Sequence, residues 1–231
     1  MCGQPDLART AAQIKPKSGA NGVIDFSGHF AWFDPFSDGF ASVVPPNEDP
    51  TAAQWATIYS YLATKLSSDA SHRSSFTLKL GYRGKSVYLR GPSEKPKTMA
   101  DSVLASHGAE IVGGFVGDVE FTEDDIPRYY SFNIDLSCVH GYEARLAVPP
   151  RMGLRGQGLF KMRRIWADPR DPNKELFEGV WDLTVSADSR HTKGRYGMDE
   201  DGEGSGALFW AIRHEAGKGE ENDNEDESCF Y

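Results

Sequence analysis

The sequence predicts a mainly β protein with minor α content: an antiparallel β-barrel or strongly bent sheet of about eight strands, with one longer and one short helix outside it. A two-sheet β-sandwich is the alternative. Three observations carry this expectation. The chain is rich in aromatic residues and glycine, with 13 Phe, 9 Tyr, 5 Trp and 24 Gly among 231 residues, a mixture that favours strands and tight turns. Apolar and polar residues alternate with period two in several segments. These segments recur at the spacing of a meander, with turn residues between them.

Residues 1–20 are small, polar and punctuated by Pro and Gly, and read as a flexible N-terminal arm. A single β-rich domain is expected over 21–214 and a disordered acidic tail over 215–231. The first strand is signalled by Ile24, Phe26, Gly28, Phe30 and Trp32 alternating with Asp25, Ser27, His29 and Ala31. After a loop over 34–50, Trp55, Ile58, Tyr59, Leu62 and Leu66 fall at helical spacing. Phe76, Leu78, Leu80 and Tyr82, then the turn at Arg83-Gly84, then Val87 and Leu89 read as a hairpin. A short helix is expected from Thr98, whose spacing to Asp101 suits a capping box, to a stop at Gly108.

Further strands are expected around 109–116, 129–136, 142–148, 159–166, 176–185 and 207–213. In the fifth of these, Phe177, Gly179, Trp181, Leu183 and Val185 share one face, while Glu178, Asp182 and Thr184 share the other. The stretch 186–206 is glycine-rich and charged, and reads as a long loop or a short hairpin around Arg195 and Tyr196. Phe26-Ser27-Gly28-His29-Phe30 and Phe177-Glu178-Gly179-Val180-Trp181 share the pattern Phe-x-Gly-x-aromatic, where a glycine lets a neighbouring ring or strand approach closely. In outline these strands resemble those of lipocalin-like barrels.

The net charge of −9 argues against nucleic acid and anionic membranes as partners, because both are bound through clustered Lys and Arg. Much of that charge lies in the tail, where Glu215, Glu220, Glu221, Asp223, Glu225, Asp226 and Glu227 face the single Lys218. The body is nearer neutrality. Cys2, Cys138 and Cys229 are odd in number and widely spaced, which suits neither a disulfide framework nor a zinc site. No run approaches the roughly 18 apolar residues of a membrane span, and the first 20 residues lack the apolar stretch of a signal peptide. A cytoplasmic location is therefore expected.

Motifs for nucleophilic, nucleotide-dependent or metal chemistry are missing from the sequence, and no cofactor is expected. Gly204-Ser205-Gly206 lacks the strand-to-helix corner of a nucleophile elbow. Gly113-Gly114-Phe115-Val116-Gly117 leads into a second strand-like segment, not into a helix that could receive a phosphate. Cys138 and His140 could share a strand face, but no second pair completes a metal site. The acidic run 199–204 lacks the spacing of a calcium loop.

What remains is the aromatic inventory. Aromatic walls with a few polar groups are what a small-molecule pocket looks like, so the leading expectation is a cavity that binds a small apolar or aromatic molecule. Phe30, Trp32, Tyr130, Trp181 and Trp210 are its candidate ligand-binding residues, with the three indoles bordering the pocket. The same cavity would serve a cofactor-free isomerase, cyclase or lyase if a proton carrier faced it, and His29, His140 and Asp135 are the candidates for that role. Asp34 is the candidate partner of His29, and Glu143 and Arg145 those of Asp135. A third reading is an interaction module acting through the tail that ends in Cys229-Phe230-Tyr231.

Overall fold

The computed structural model describes residues 24–35, 51–69, 74–78, 87–91, 96–122, 139–148, 153–187 and 202–214. The N-terminal arm, the acidic tail, most of the 186–206 stretch and the strand expected over 129–136 lie outside them.

Eight strands pair in chain order and close into an antiparallel barrel. They are β1 (Gly28–Phe33), β2 (Ser75–Leu78), β3 (Val87–Arg90), β4 (Ala109–Val119), β5 (Val139–Ala147), β6 (Leu154–Asp168), β7 (Asp171–Ala187) and β8 (Glu203–Arg213). Closure comes from β1 meeting β8, with Phe30 opposite Arg213 and Phe33 opposite Trp210. The barrel takes precedence over the sandwich because each strand finds its sequence neighbour and the last finds the first.

Period-two alternation sorts side chains to two sides of the wall. Phe30, Trp32, Phe76, Leu78, Leu89, Phe160, Met162, Phe177, Trp181, Leu183, Val185 and Phe209 belong to one buried cluster that fills the interior. Ala31, Phe33, Leu176, Trp210 and Ile212, from the other phase of the same strands, form a second cluster on the outer wall. The longer helix α1 (Ala52–Ser68) covers that outer cluster with Ile58 and Leu62, flanked by Trp55, Tyr59 and Leu66. It starts at a capping box in which Gln54 N donates to Thr51 Oγ1 at 3.3 Å and Thr51 N donates to Gln54 Oε1 at 2.7 Å.

The short helix α2 (Met99–Ser106) has the expected Thr98–Asp101 capping box, and Gly108 follows it with φ 75°. Its place differs from the expectation. Instead of lying on the outer wall it closes one end of the barrel, here the upper end, and its buried Ala100, Val103 and Leu104 join the interior cluster. Both faces of its docking are polar and specific: Met99 N donates to Glu203 Oε2 at 2.7 Å, and Ser205 Oγ donates to Asp101 Oδ1 at 2.6 Å. Gly91 N, just past β3, donates to Leu104 O at 3.2 Å.

Gly113-Gly114 does not separate two strands. It is a bulge within β4, where the register with β5 shifts between Val112 and Phe115 and Gly113 takes φ 65°. The extra residue reverses the phase of the strand. Val116 packs on the interior cluster while Phe115 turns outward, 49% exposed. Gly179 serves a different need, close approach. A Cβ there would strike the Lys161 carbonyl and the Phe209 ring, so the residue opposite Phe209 in the register has no side chain. The variant Gly179→Ala is expected to lose about 1–3 kcal/mol of stability, the usual cost of overpacking a filled core, read as a lower urea midpoint with unchanged slope.

Candidate functional site

The interior is layered. Across its middle, four phenylalanines from four strands form one packed unit: Phe30 stacks on Phe76 at 4.9 Å, and Phe160 stacks on Phe209 at 5.5 Å. Phe76 joins the two stacks edge-on, at 5.1 Å from Phe160 and 5.6 Å from Phe209. Such pairs contribute about 0.5–1.5 kcal/mol each beyond their buried area. Toward the upper end sit Trp32 and Trp181, with ring centroids 6.2 Å apart and planes at 68°. Around and above them are small and aliphatic side chains: Leu89, Ala109, Leu146, Val148, Leu154, Leu183, Val185 and Ala207, with α2 as the roof.

The two indoles differ in one respect. Trp32 Nε1 donates to the Arg90 carbonyl at 2.8 Å, which fixes its ring at the top of β3. Trp181 is 3% exposed, and its Nε1 has no hydrogen-bond partner among the described residues. It stands opposite Ala207 on β8, and that small neighbour supplies no acceptor from its side chain. A buried donor left unmatched costs about 1–3 kcal/mol. Among the described residues it is the buried side-chain nitrogen or oxygen left without a partner.

The lower end is closed by charge. Arg213, on the inward phase of β8, donates from Nε to Glu175 Oε2 at 2.8 Å, and Arg164 Nη1 donates to Glu175 Oε1 at 2.7 Å. The remaining nitrogens of Arg213 donate to the carbonyls of Asp25 and Ser27, and its guanidinium lies over the rings of Phe30 and Phe177 at 4.9 and 5.4 Å. The segment before β1 is thereby drawn across the barrel mouth, with Phe26 as a plug 6.0 Å from Phe177. Ser27, through its hydroxyl and then its N–H, donates to the Asp25 carboxylate and holds it below the usual carboxylate range.

The expected site residues are divided by this geometry. Phe30, Trp32 and Trp181 share the interior. Trp210 does not: it lies one residue out of phase with Phe209, on the outer wall, where it meets Trp55 of α1 edge-on at 5.8 Å. Of the three indoles expected to border a pocket, Trp32 and Trp181 therefore stand on the interior side of the wall and Trp210 on the outer side. His29 also faces outward, its Nδ1 2.7 Å from Thr77 Oγ1 across the β1–β2 pair. His140 is exposed near the lower mouth, 6.1 Å from the Phe26 ring. Tyr130 and Asp135 lie outside the described residues, as does Cys138. Neither histidine stands in the chamber with Trp32 and Trp181. Among the described residues no group of three or more His, Cys, Asp and Glu is arranged to hold a metal ion, and no helix is long and apolar enough to cross a membrane.

Several interior residues were missed by sequence reasoning. Glu175 extends the recognised face of Phe177, Gly179 and Trp181, and that periodicity was the signal that could have found it; Arg213 shares the inward phase of Ala207, Phe209 and Ala211, which the sequence reading did not assign. Tyr142 was placed in a strand but given no role. Its ring meets Phe160 at 6.2 Å, and its hydroxyl lies over Gly114 at the β4 bulge. Loss of solvent around Tyr142 pushes its hydroxyl above the ordinary tyrosine value of 10.0.

Together these features define the chain as a closed eight-stranded antiparallel β-barrel with an aromatic interior, capped by a helix above and by an arginine-anchored segment below. Comparison with protein-family models, with curated proteins and with solved structures finds no match to this chain.

Two outcomes follow from the groups just described. Replacing Glu175 by Gln leaves two arginines without their shared counter-charge. Because Arg164 and Arg213 are 24% and 21% exposed, the expected loss is about 3 kcal/mol, the lower end of the range for breaking a buried pair, measured by urea unfolding. For Tyr142 the folded-state pKa is raised, so the folded protein holds the proton more tightly than the unfolded chain. Its stabilising effect is complete below pH 10 and is lost as pH rises through the folded value. Tyr142→Phe is expected to flatten the fall in stability above pH 10 relative to the parent, and parallel alkaline profiles would refute this assignment.

Proposed function

We propose that the protein binds a small apolar or aromatic molecule in the upper chamber of its barrel, between the phenylalanine layer and α2. The observation that supports this most directly is the contrast between the barrel's two ends. The lower end is closed by a charged cluster, a cation–π stack and an inserted phenylalanine. The upper end is roofed by an eight-residue helix, whose polar anchors are the two side-chain hydrogen bonds to β8 and one backbone bond to Gly91. A helix of that length is marginal in isolation and is held by its buried Ala100, Val103 and Leu104 together with these bonds, so a ligand would enter where the closure is a single short element. Aliphatic and indole surfaces beneath it offer an apolar ligand its main gain, about 25 cal/mol per Å² of surface removed from water.

The enzyme reading needs a titratable group beside Trp32 and Trp181; His29 faces outward and His140 lies by the lower mouth, while Asp135 is outside the described residues. Binding is the reading that the geometry favours.

The test is a titration of the full chain with the neutral fluorophore N-phenyl-1-naphthylamine. A saturable one-to-one rise in blue-shifted emission, with energy transfer from indole, is expected. Trp32→Ala should weaken it about tenfold or more, whereas Trp210→Phe, on the outer wall, should leave it unchanged. An absence of saturable binding, or equal weakening by both variants, overturns the proposal.

A further inference from the structure

Trp181 carries more information than an apolar wall residue would. Its indole nitrogen is buried with no partner among the described residues, while the neighbouring Trp32 satisfies its own nitrogen on Arg90 O. Around it the cluster residues are Trp, Phe and aliphatic side chains. The charged cluster Arg164–Glu175–Arg213 is internally paired at the opposite end of the barrel. Resting on the binding function proposed above, we infer that the occupant is an uncharged, largely apolar molecule bearing one hydrogen-bond acceptor, such as a ketone, ester or ether oxygen, and that Trp181 Nε1–H is the donor that orients it.

The chemistry of the chamber argues for each part of this description. The inward-facing Arg213 is paired with Glu175 at the opposite end of the barrel, so a carboxylate beside Trp181 would bear a desolvation cost that a single indole donor does not offset. A pure hydrocarbon would fill the same volume and leave the Trp181 donor unmatched. A neutral acceptor removes that defect without introducing another, because one of its lone pairs suffices and it brings no donor that needs a partner.

The test compares shape-matched pairs on the full-length protein: 2-acetylnaphthalene against 2-isopropylnaphthalene, and the corresponding one-ring and three-ring pairs, together with 2-naphthoate. In the wild type the best-fitting ketone is expected to bind about tenfold more tightly than its hydrocarbon, and the carboxylate more weakly than either. In a nitrogen-15 spectrum the indole N–H of Trp181 should move downfield with the ketone and not with the hydrocarbon. Trp181→Phe should bring the ratio of ketone to hydrocarbon affinity down to about one. The wild-type ratio and the wild-type spectrum stand even if that variant fails to fold.

Equal affinities for ketone and hydrocarbon, as a resident water bonded to Nε1 would give, overturn the acceptor assignment and leave apolar binding intact. Tighter binding of the carboxylate overturns the neutrality of the occupant. Failure of every compound to bind overturns the inference together with the reading on which it rests.

Discussion

Pairing of the first strand with the last is the constraint on which everything else in this protein depends. Once Ala31 lies opposite Ile212 and Trp32 opposite Ala211, the sheet has an inside and an outside, and each strand must commit its two phases to different environments. The consequences are visible within single dipeptides. Phe209 belongs to the interior and Trp210 to the contact with α1; Trp32 faces the chamber while Phe33 supports the helix. A slip of one residue at this seam would exchange all of these roles at once. Closure also removes the exposed edges that an open sheet would present to other chains.

The two ends of the barrel solve the same problem with different physics. Below, Arg213 satisfies a carboxylate, two carbonyls and two ring faces, which fixes a segment with no regular structure of its own. Breaking any one of these contacts leaves the guanidinium still held by the others. Above, α2 is docked through its first turn: Glu203 accepts the N–H of Met99, Asp101 accepts the Ser205 hydroxyl, and the apolar face of the helix settles onto the chamber. A carboxylate near a helix N-terminus is stabilised by the peptide dipoles there, so the attachment uses a favourable site without burying a full ion pair. The stiffer closure lies at the end where the interior is already filled by aromatic rings.

Much of this fold was legible in the sequence because side-chain chemistry follows local period. Alternation located β1 and β7, Thr98 with Asp101 announced α2, and Trp55, Ile58 and Leu62 announced α1. What was not legible is where the local signal is broken or where distance decides. β6 begins at Leu154, five residues before its expected start, because its inward positions 156 and 158 are glycines and interrupt the apolar alternation. The Gly113-Gly114 bulge looked like a boundary because it reverses the phase of an otherwise continuous strand. For the site, Trp32 and Trp181 lie on faces whose alternation the sequence displays, whereas Trp210 was grouped with them by residue type in a segment, Ala207–Arg213, that shows no alternation. The unmatched nitrogen of Trp181 could not be read at all, since it depends on which atoms of remote strands fail to reach it.

The attachment of α2 to β8 also sets an order of assembly. Glu203 and Ser205 follow Met99 and Asp101 by 104 residues, and they belong to the strand whose arrival closes the barrel. During synthesis the helix can form and reach Gly91, yet the two hydrogen bonds that join its first turn to β8 cannot form until β8 is in place. Contacts of such long sequence separation form late and slowly. Full docking of the roof helix is therefore coupled to completion of the fold.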